Sequence, residues 1–203
     1  MSSTTLTHLN QLAYSLATHP ELGFVQPLLQ RFPEAELYLV GGAVRDAAMG
    51  RTESKDYDFV VRQVAPEALQ EFLATLGRVN LVGKTFGVFK FTQHYAAQSA
   101  GFIPHIEPID IALPRRESPV AHTGAYRDFA IYADPFVPIE DDLSRRDFTM
   151  NAMAIPLSLD GRGPRPGSGG EGALIDPFGG LNDIEKKTIR AVGNAHERFC
   201  EDY

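Results

Sequence analysis

Hydrophobic positions recur along this chain in two rhythms. Short apolar runs of strand formers fall at Leu37–Val40 and Asp58–Val61, and Val88-Phe89-Lys90-Phe91 alternates strictly. Period two is the mark of a strand with one buried face. Helical spacing runs through Thr4–Ala17, with Leu6, Leu9, Leu12, Ala13, Leu16 and Ala17 apolar, and through Gly23–Arg31. It recurs in Ala43–Met49, which stops at Gly50, and in Glu67–Leu76, which follows Pro66 and closes at Gly77. The pattern predicts two strands in Arg78–Gln93, joined near Gly83-Lys84-Thr85, and further strands at Ile106–Leu113 and Leu174–Asp176. Pro108 marks an edge or a bulge in the first of these. Ile139–Ala154 reads as one helix whose acidic start, Glu140-Asp141-Asp142, suits the helix dipole. Leu181–Val192 and Ala195–Tyr203 read as two more. Tyr95–Pro104 and Ser118–Pro138 read as loop, and the Gly/Pro-rich Gly161–Gly172 as a flexible hairpin tip or linker.

The candidate chemistry sits in Leu37–Val61. Gly41-Gly42 permits a sharp turn and close backbone approach to a ligand. The turn leads into a helix N-terminus, where free amides favour anions, and that helix carries Arg45, a phosphate-compatible fork. The next strand opens on Asp56-Tyr57-Asp58, whose carboxylates at i and i+2 emerge on one face. Like charges held that close repel unless a cation lies between them. Oxygen-only ligands suit Mg²⁺, which usually takes one or two carboxylates plus substrate phosphates. Alone, an Asp-x-Asp is more often a solvated edge and a Gly-Gly an ordinary turn; their conjunction sets a phosphate cradle beside a metal site. Asp110, between two isoleucines, points away from them, into water or into a cleft. None of the 6 histidines has metal-ligand spacing to a partner, which discounts zinc.

GGAVRD followed by KDYDFVV resembles the signature of the class II tRNA nucleotidyltransferase and bacterial poly(A) polymerase family. RRDFTMNAMA at Arg145–Ala154, IDPFGG at Ile175–Gly180 and ERFCED at Glu197–Asp202 follow in the family's order. The resemblance implies an α+β nucleotidyltransferase head, polymerase beta-like, with a mixed, mostly antiparallel sheet of about five strands and helices packed on one side. It implies transfer of a nucleotide from ATP or CTP to an RNA 3′-hydroxyl, with two Mg²⁺ ions held by Asp56 and Asp58 and with Asp110 as third carboxylate. Gly41, Gly42 and Arg45 would cradle the triphosphate, and Arg145, Arg146 and Asp147 would read phosphate and ribose. Asn151 would share the face of Asp147. PRRES at Pro114–Ser118 resembles the family's Arg-x-Glu, and Asp202 the start of its base-selecting motif. The chain ends at Tyr203, before the arginine of that motif and before the neck, body and tail that grip RNA. An excised head and a short chain that relies on a partner both fit this ending.

The totals change little. A chain of 203 residues with 43% hydrophobic and 22% charged content is ordinary for a globular protein. Its net charge of −7 argues against a general nucleic-acid binder but not against a nucleic-acid enzyme with local basic surface at Arg115-Arg116, Arg127, Arg145-Arg146 and Lys186-Lys187-Arg190. One cysteine, Cys200, precludes an internal disulfide and points to a reducing compartment. No membrane-length apolar run and no signal-like start are present, so the expected location is cytoplasmic. The expected organisation is N-terminal helices over 1–35, head over 36–160, insertion over 161–172, and the end of the head with the start of a helical neck over 173–203. Two rivals to RNA extension are a nucleotide-binding or regulatory module without transfer activity, and a transferase acting on a small molecule or protein. The later motifs speak against the second.

Overall fold

Alternation on the central strands sorts their side chains onto two faces, and the two faces are covered differently. The computed structural model describes residues 22–51, 56–82, 87–94, 108–119, 129–157 and 174–196. The chain runs through α1 (Val25–Arg31), β1 (Glu36–Val40), α2 (Gly42–Ala48), β2 (Asp58–Arg62), α3 (Pro66–Leu76), β3 (Gly77–Val82) and β4 (Val88–Gln93). It continues through β5 (Ile109–Ala112), β6 (Arg115–Pro119), β7 (Phe129–Ala133), α4 (Ile139–Leu143), β8 (Ala154–Leu157) and α5 (Gly180–Glu185). Six strands form one sheet in the order β3-β4-β5-β2-β1-β8, and β6 pairs with β7 in a separate hairpin. The β2–β5 pair is parallel and the other neighbours are antiparallel. The expected mixed, mostly antiparallel architecture is the one observed, with one strand more.

One face of the sheet presents Leu37, Leu39, Phe59, Val61, Phe89, Phe91, Ile111 and Ile155 to α1, α2, α3 and α5. Phe24, just ahead of α1, lies edge-on to Phe59 at 5.4 Å and to Phe91 at 5.5 Å. Each such buried side chain stabilises by about 1.5–3 kcal/mol, so this face dominates the fold. The opposite face carries Tyr38, Val40, Val60 and Ala154 under Ile139 and Leu143 of α4 and Val192. Helices therefore flank both faces rather than one. Arg62 holds the approach to α4 by donating to the Val137 carbonyl and pairing with Glu36. Tyr38 also donates to Glu36, at 2.7 Å; burial, then this bond, pushes its hydroxyl up to about 12.

Several sequence expectations are corrected. The helix expected over Ile139–Ala154 ends at Leu143; a 3₁₀ turn at Thr149–Asn151 follows, and Ala154 already belongs to β8. Tertiary pairing overrides helix propensity here: Phe148 bridges to Ala191, and the Thr149 amide donates to the Arg190 carbonyl at 2.9 Å. Ser118–Pro138, expected as loop, contains β7. Pro108 lies outside β5, which is an interior strand and no edge. Leu181–Val192 is helical only to Glu185, with Lys187 at a φ of 54° breaking the run. Leu174–Asp176 forms a single bridge, Ile175 to Ala154, rather than a strand. The helix expected over Thr4–Ala17, the Gly161–Gly172 segment, Lys84-Thr85 and most of Ala195–Tyr203 lie outside the described residues. Among the described residues no helix is long and apolar enough to cross a membrane.

Residues 174–192 dock on the 3₁₀ turn through a buried ion. Asp183 accepts the Thr149 hydroxyl at 2.8 Å and pairs with Arg190 at 3.0 Å. Arg190, then Thr149, hold its carboxyl below the usual range. Gly180 allows the close approach, since a Cβ there would meet the Thr149 carbonyl oxygen at 2.2 Å. Because the folded value is depressed, the stabilisation is complete above the ordinary aspartate value of 3.8 and is lost as pH falls through the lower folded one. Asp183→Asn should therefore lower the urea midpoint at neutral pH and flatten its decline on acidification.

Candidate active site

The register of the sheet lines up one transverse row. Lys90 pairs with Asp110, Asp110 with Asp58, Asp58 with Val40 and Val40 with Ala154. Residues in such a row share a face, and this is the face that α4 covers. Asp58 is half-buried at the start of β2, with Asp56 two residues ahead. Burial raises the Asp58 carboxyl, and Asp110 and Asp56 add to the rise; Arg146 and Lys90 oppose it without cancelling it. The Lys90 ammonium donates to both Asp110 oxygens, at 2.9 and 3.2 Å.

The diglycine turn follows Val40 directly. Gly41 sits at φ 74° and ψ −138°, a region essentially reserved for glycine. A Cβ there would lie 3.1 Å from Arg146 Nη1 and 3.2 Å from Asp58 Oδ2. Turn, arginine and carboxylate thus meet at one point. Gly42 begins α2, which has only 7 residues, so the turn contributes close approach more than a long dipole. Arg45, expected to reach for phosphate, is held by its neighbours. Nε and Nη2 contact Asp46 at 3.0 Å each, and Nη1 donates to Asn151 at 2.8 Å. Asn151 in turn donates to Asp147 at 3.4 Å, joining the turn that carries Arg145–Asp147 to α2.

Three guanidinium groups, those of Arg115, Arg145 and Arg146, gather around Asp142. Arg145 donates to the Arg115 carbonyl at 3.3 Å. Burial lowers the Arg115 value from its usual one; Asp142 opposes this, and Arg145 and Arg146 add to it. Burial raises the Asp142 carboxyl in spite of Arg146, Arg115 and Arg145. Three arginines around one carboxylate leave net positive charge for an anion. Arg146 Nε is buried with no hydrogen-bond partner among the described residues, and such a donor lacks about 1–3 kcal/mol until an acceptor arrives.

Among the described residues no three carboxylate, histidine or cysteine side chains converge into a complete metal cage. A hard cation that takes one or two carboxylates alongside phosphate oxygens needs no such cage. Asp58 and Asp110, adjacent and mutually repelling beside an arginine-lined turn, fit that partial set. Asp202 lies outside the described residues.

A profile of the poly A polymerase head domain matches residues 37–190. The chain belongs to that family. It is 37% identical over 165 residues to a multifunctional CCA protein of Xylella fastidiosa (strain 9a5c), covering 81% of this chain and 31% of that protein. A CCA-adding enzyme of Bacillus stearothermophilus solved with CTP aligns over 96% of this chain and 36% of its own, at 26% identity and a TM-score of 0.58. Another CCA-adding enzyme, also in complex with CTP, covers 96% and 38% at 27% identity and a TM-score of 0.61. The chain spans about a third of the length of the curated relatives it matches.

Within this poly A polymerase head domain the structure brings together Gly41, Asp58, Asp110 and Arg146, with Asp56 near enough to raise Asp58. Arg145 joins them through Arg115, and Asp147 through Asn151. Sequence reading missed Lys90 and Asp142 as members, and had Arg115 only within the PRRES match and the basic surface. The alternation of Val88–Phe91 already put Lys90 on the polar face, but its pairing with Asp110 is a matter of register. Removing the Asp58 charge should remove a penalty that its cationic neighbours do not cancel. Asp58→Asn should therefore raise the urea midpoint in metal-free buffer, whereas Gly41→Ala should lower stability by about 1–3 kcal/mol.

Proposed function

We propose that this chain is the nucleotidyltransferase head of an enzyme that extends RNA 3′ ends. The 3′-hydroxyl oxygen would bond to the α-phosphorus of CTP or ATP as the bond to pyrophosphate breaks and the hydroxyl proton passes to solvent. One observation carries the reading: Asp58, Asp110, the Gly41 turn and Arg146 meet at one end of the sheet. The names of the relatives, multifunctional CCA protein and CCA-adding enzyme, favour CCA addition to tRNA over poly(A) tailing.

Asp56 and Asp58 would hold Mg²⁺, with Asp110 as the third carboxylate. When bound, two such ions would neutralise charge on the phosphates and activate the attacking hydroxyl. The chain's own residues bind and orient. Gly41 and Gly42 leave room for phosphate oxygens against the backbone. Arg146 and Arg145, with Arg115 behind them, supply guanidinium donors to phosphate, and the unpartnered Arg146 Nε is one of these. Asp147 would accept a ribose hydroxyl, while Arg45 braces Asn151 beside it. Asp202 would begin base selection. Residues 173–203 would complete the head and open a helical neck. A cytoplasmic site of action agrees with the single cysteine.

The test is incubation with tRNA lacking its 3′ end, Mg²⁺ and labelled CTP or ATP. Label should enter the RNA, and Asp56→Ala or Asp58→Ala should reduce incorporation on the order of 10²–10³-fold, the rate equivalent of several kcal/mol. Nucleotide retention without incorporation is the signature of the binding-module alternative. Near-normal turnover in either variant contradicts the metal assignment.

A further inference from the structure

We infer that Lys90 is the resident counter-cation of the acidic row: its ammonium occupies Asp110 in the metal-free protein and competes there with the incoming divalent cation. The inference rests on the metal site of the proposed function and adds a residue that works against metal loading.

Placement of Lys90 is dictated by packing. Phe89 and Phe91 are fully buried in the main core, so the residue between them must emerge on the opposite face. Pairing of β4 with β5 then sets it across from Asp110. Nζ contacts both carboxylate oxygens, at 2.9 and 3.2 Å, covering the atoms a cation would use. Asp58, next in the row, also attracts it. Stability does not account for the pair. The two side chains are 43% and 36% exposed, and exposed ion pairs contribute little. Their exposure also leaves the flexible four-carbon stem free to swing away. A divalent ion arriving at Asp58 therefore meets a like charge that can leave only by giving up Asp110.

The test is a Mn²⁺ titration of the 203-residue chain without nucleotide, reading free Mn²⁺ by electron paramagnetic resonance. Wild type is compared with Lys90→Met, Lys90→Gln, Lys90→Arg and Asp58→Asn. The neutral variants should bind Mn²⁺ about tenfold or more tighter than wild type, as expected when a like charge a few ångströms away is removed. Lys90→Arg should stay close to wild type, and thermal midpoints of the Lys90 variants should barely move. If Asp58→Asn loses binding while the neutral Lys90 variants bind no tighter than wild type, the Lys90 inference is overturned and the metal site stands. If Asp58→Asn binds as wild type does, the acidic row holds no cation and both fall together.

Discussion

Everything at the candidate site follows from one row of strand pairing. Lys90, Asp110, Asp58 and Val40 lie side by side across four strands, and Gly41 turns away immediately after Val40. The parallel pairing of β2 with β5 is the critical member, because it sets two carboxylates next to each other from distant parts of the chain. Side chains alternate, so slipping either strand by one residue would carry its aspartate to the apolar face and an aromatic or aliphatic side chain to the polar one. Phe59 and Ile111, buried next to Asp58 and Asp110, resist such a slip. The hydrophobic face thereby specifies the geometry of the charged one.

That charged face is strained in the electrostatic sense. Asp58 is raised by burial and by like charge, Arg146 Nε has no hydrogen-bond partner among the described residues, and three arginines share Asp142. Each feature opposes stability, and a ligand of opposite sign would relieve each: a cation for the carboxylates, phosphate for the guanidiniums. A nucleotide carrying a metal ion answers both at once. The buried Asp183 carboxylate, by contrast, is matched by Thr149 and Arg190. The contrast between that satisfied ion and the raised Asp58 carboxyl supports the proposed ligand site.

Much of this was legible in the chain itself. The alternation of Leu37–Val40 and Val88–Phe91, the Gly41-Gly42 turn and the Asp58 start of β2 all act locally, and local rules find them, although Asp56, expected to open the strand, lies ahead of it. The RRDFTMNAMA segment resisted because it is locally helical in character yet is pulled into a 3₁₀ turn and a strand by Ala191, Arg190 and the edge of β1. Arg45 was legible as a residue but not in its contacts: Asp46 and Asn151 engage the guanidinium expected to meet phosphate. Lys90 and Asp142 escaped for a related reason. Their partners lie on other strands and turns, and no periodicity reports who pairs with whom.

The central claim is that Asp56 and Asp58, with Asp110 as third carboxylate, hold a divalent cation beside a triphosphate seated over the Gly41 turn. Anomalous diffraction from crystals of the chain grown with Mn²⁺ and a non-hydrolysable CTP analogue tests it most directly. The account predicts the manganese peak beside Asp56 and Asp58 and on the side of Asp110, with phosphate oxygens over Gly41 and within reach of Arg146. Manganese bound away from Asp56 and Asp58, or a triphosphate lodged away from that turn, would contradict it.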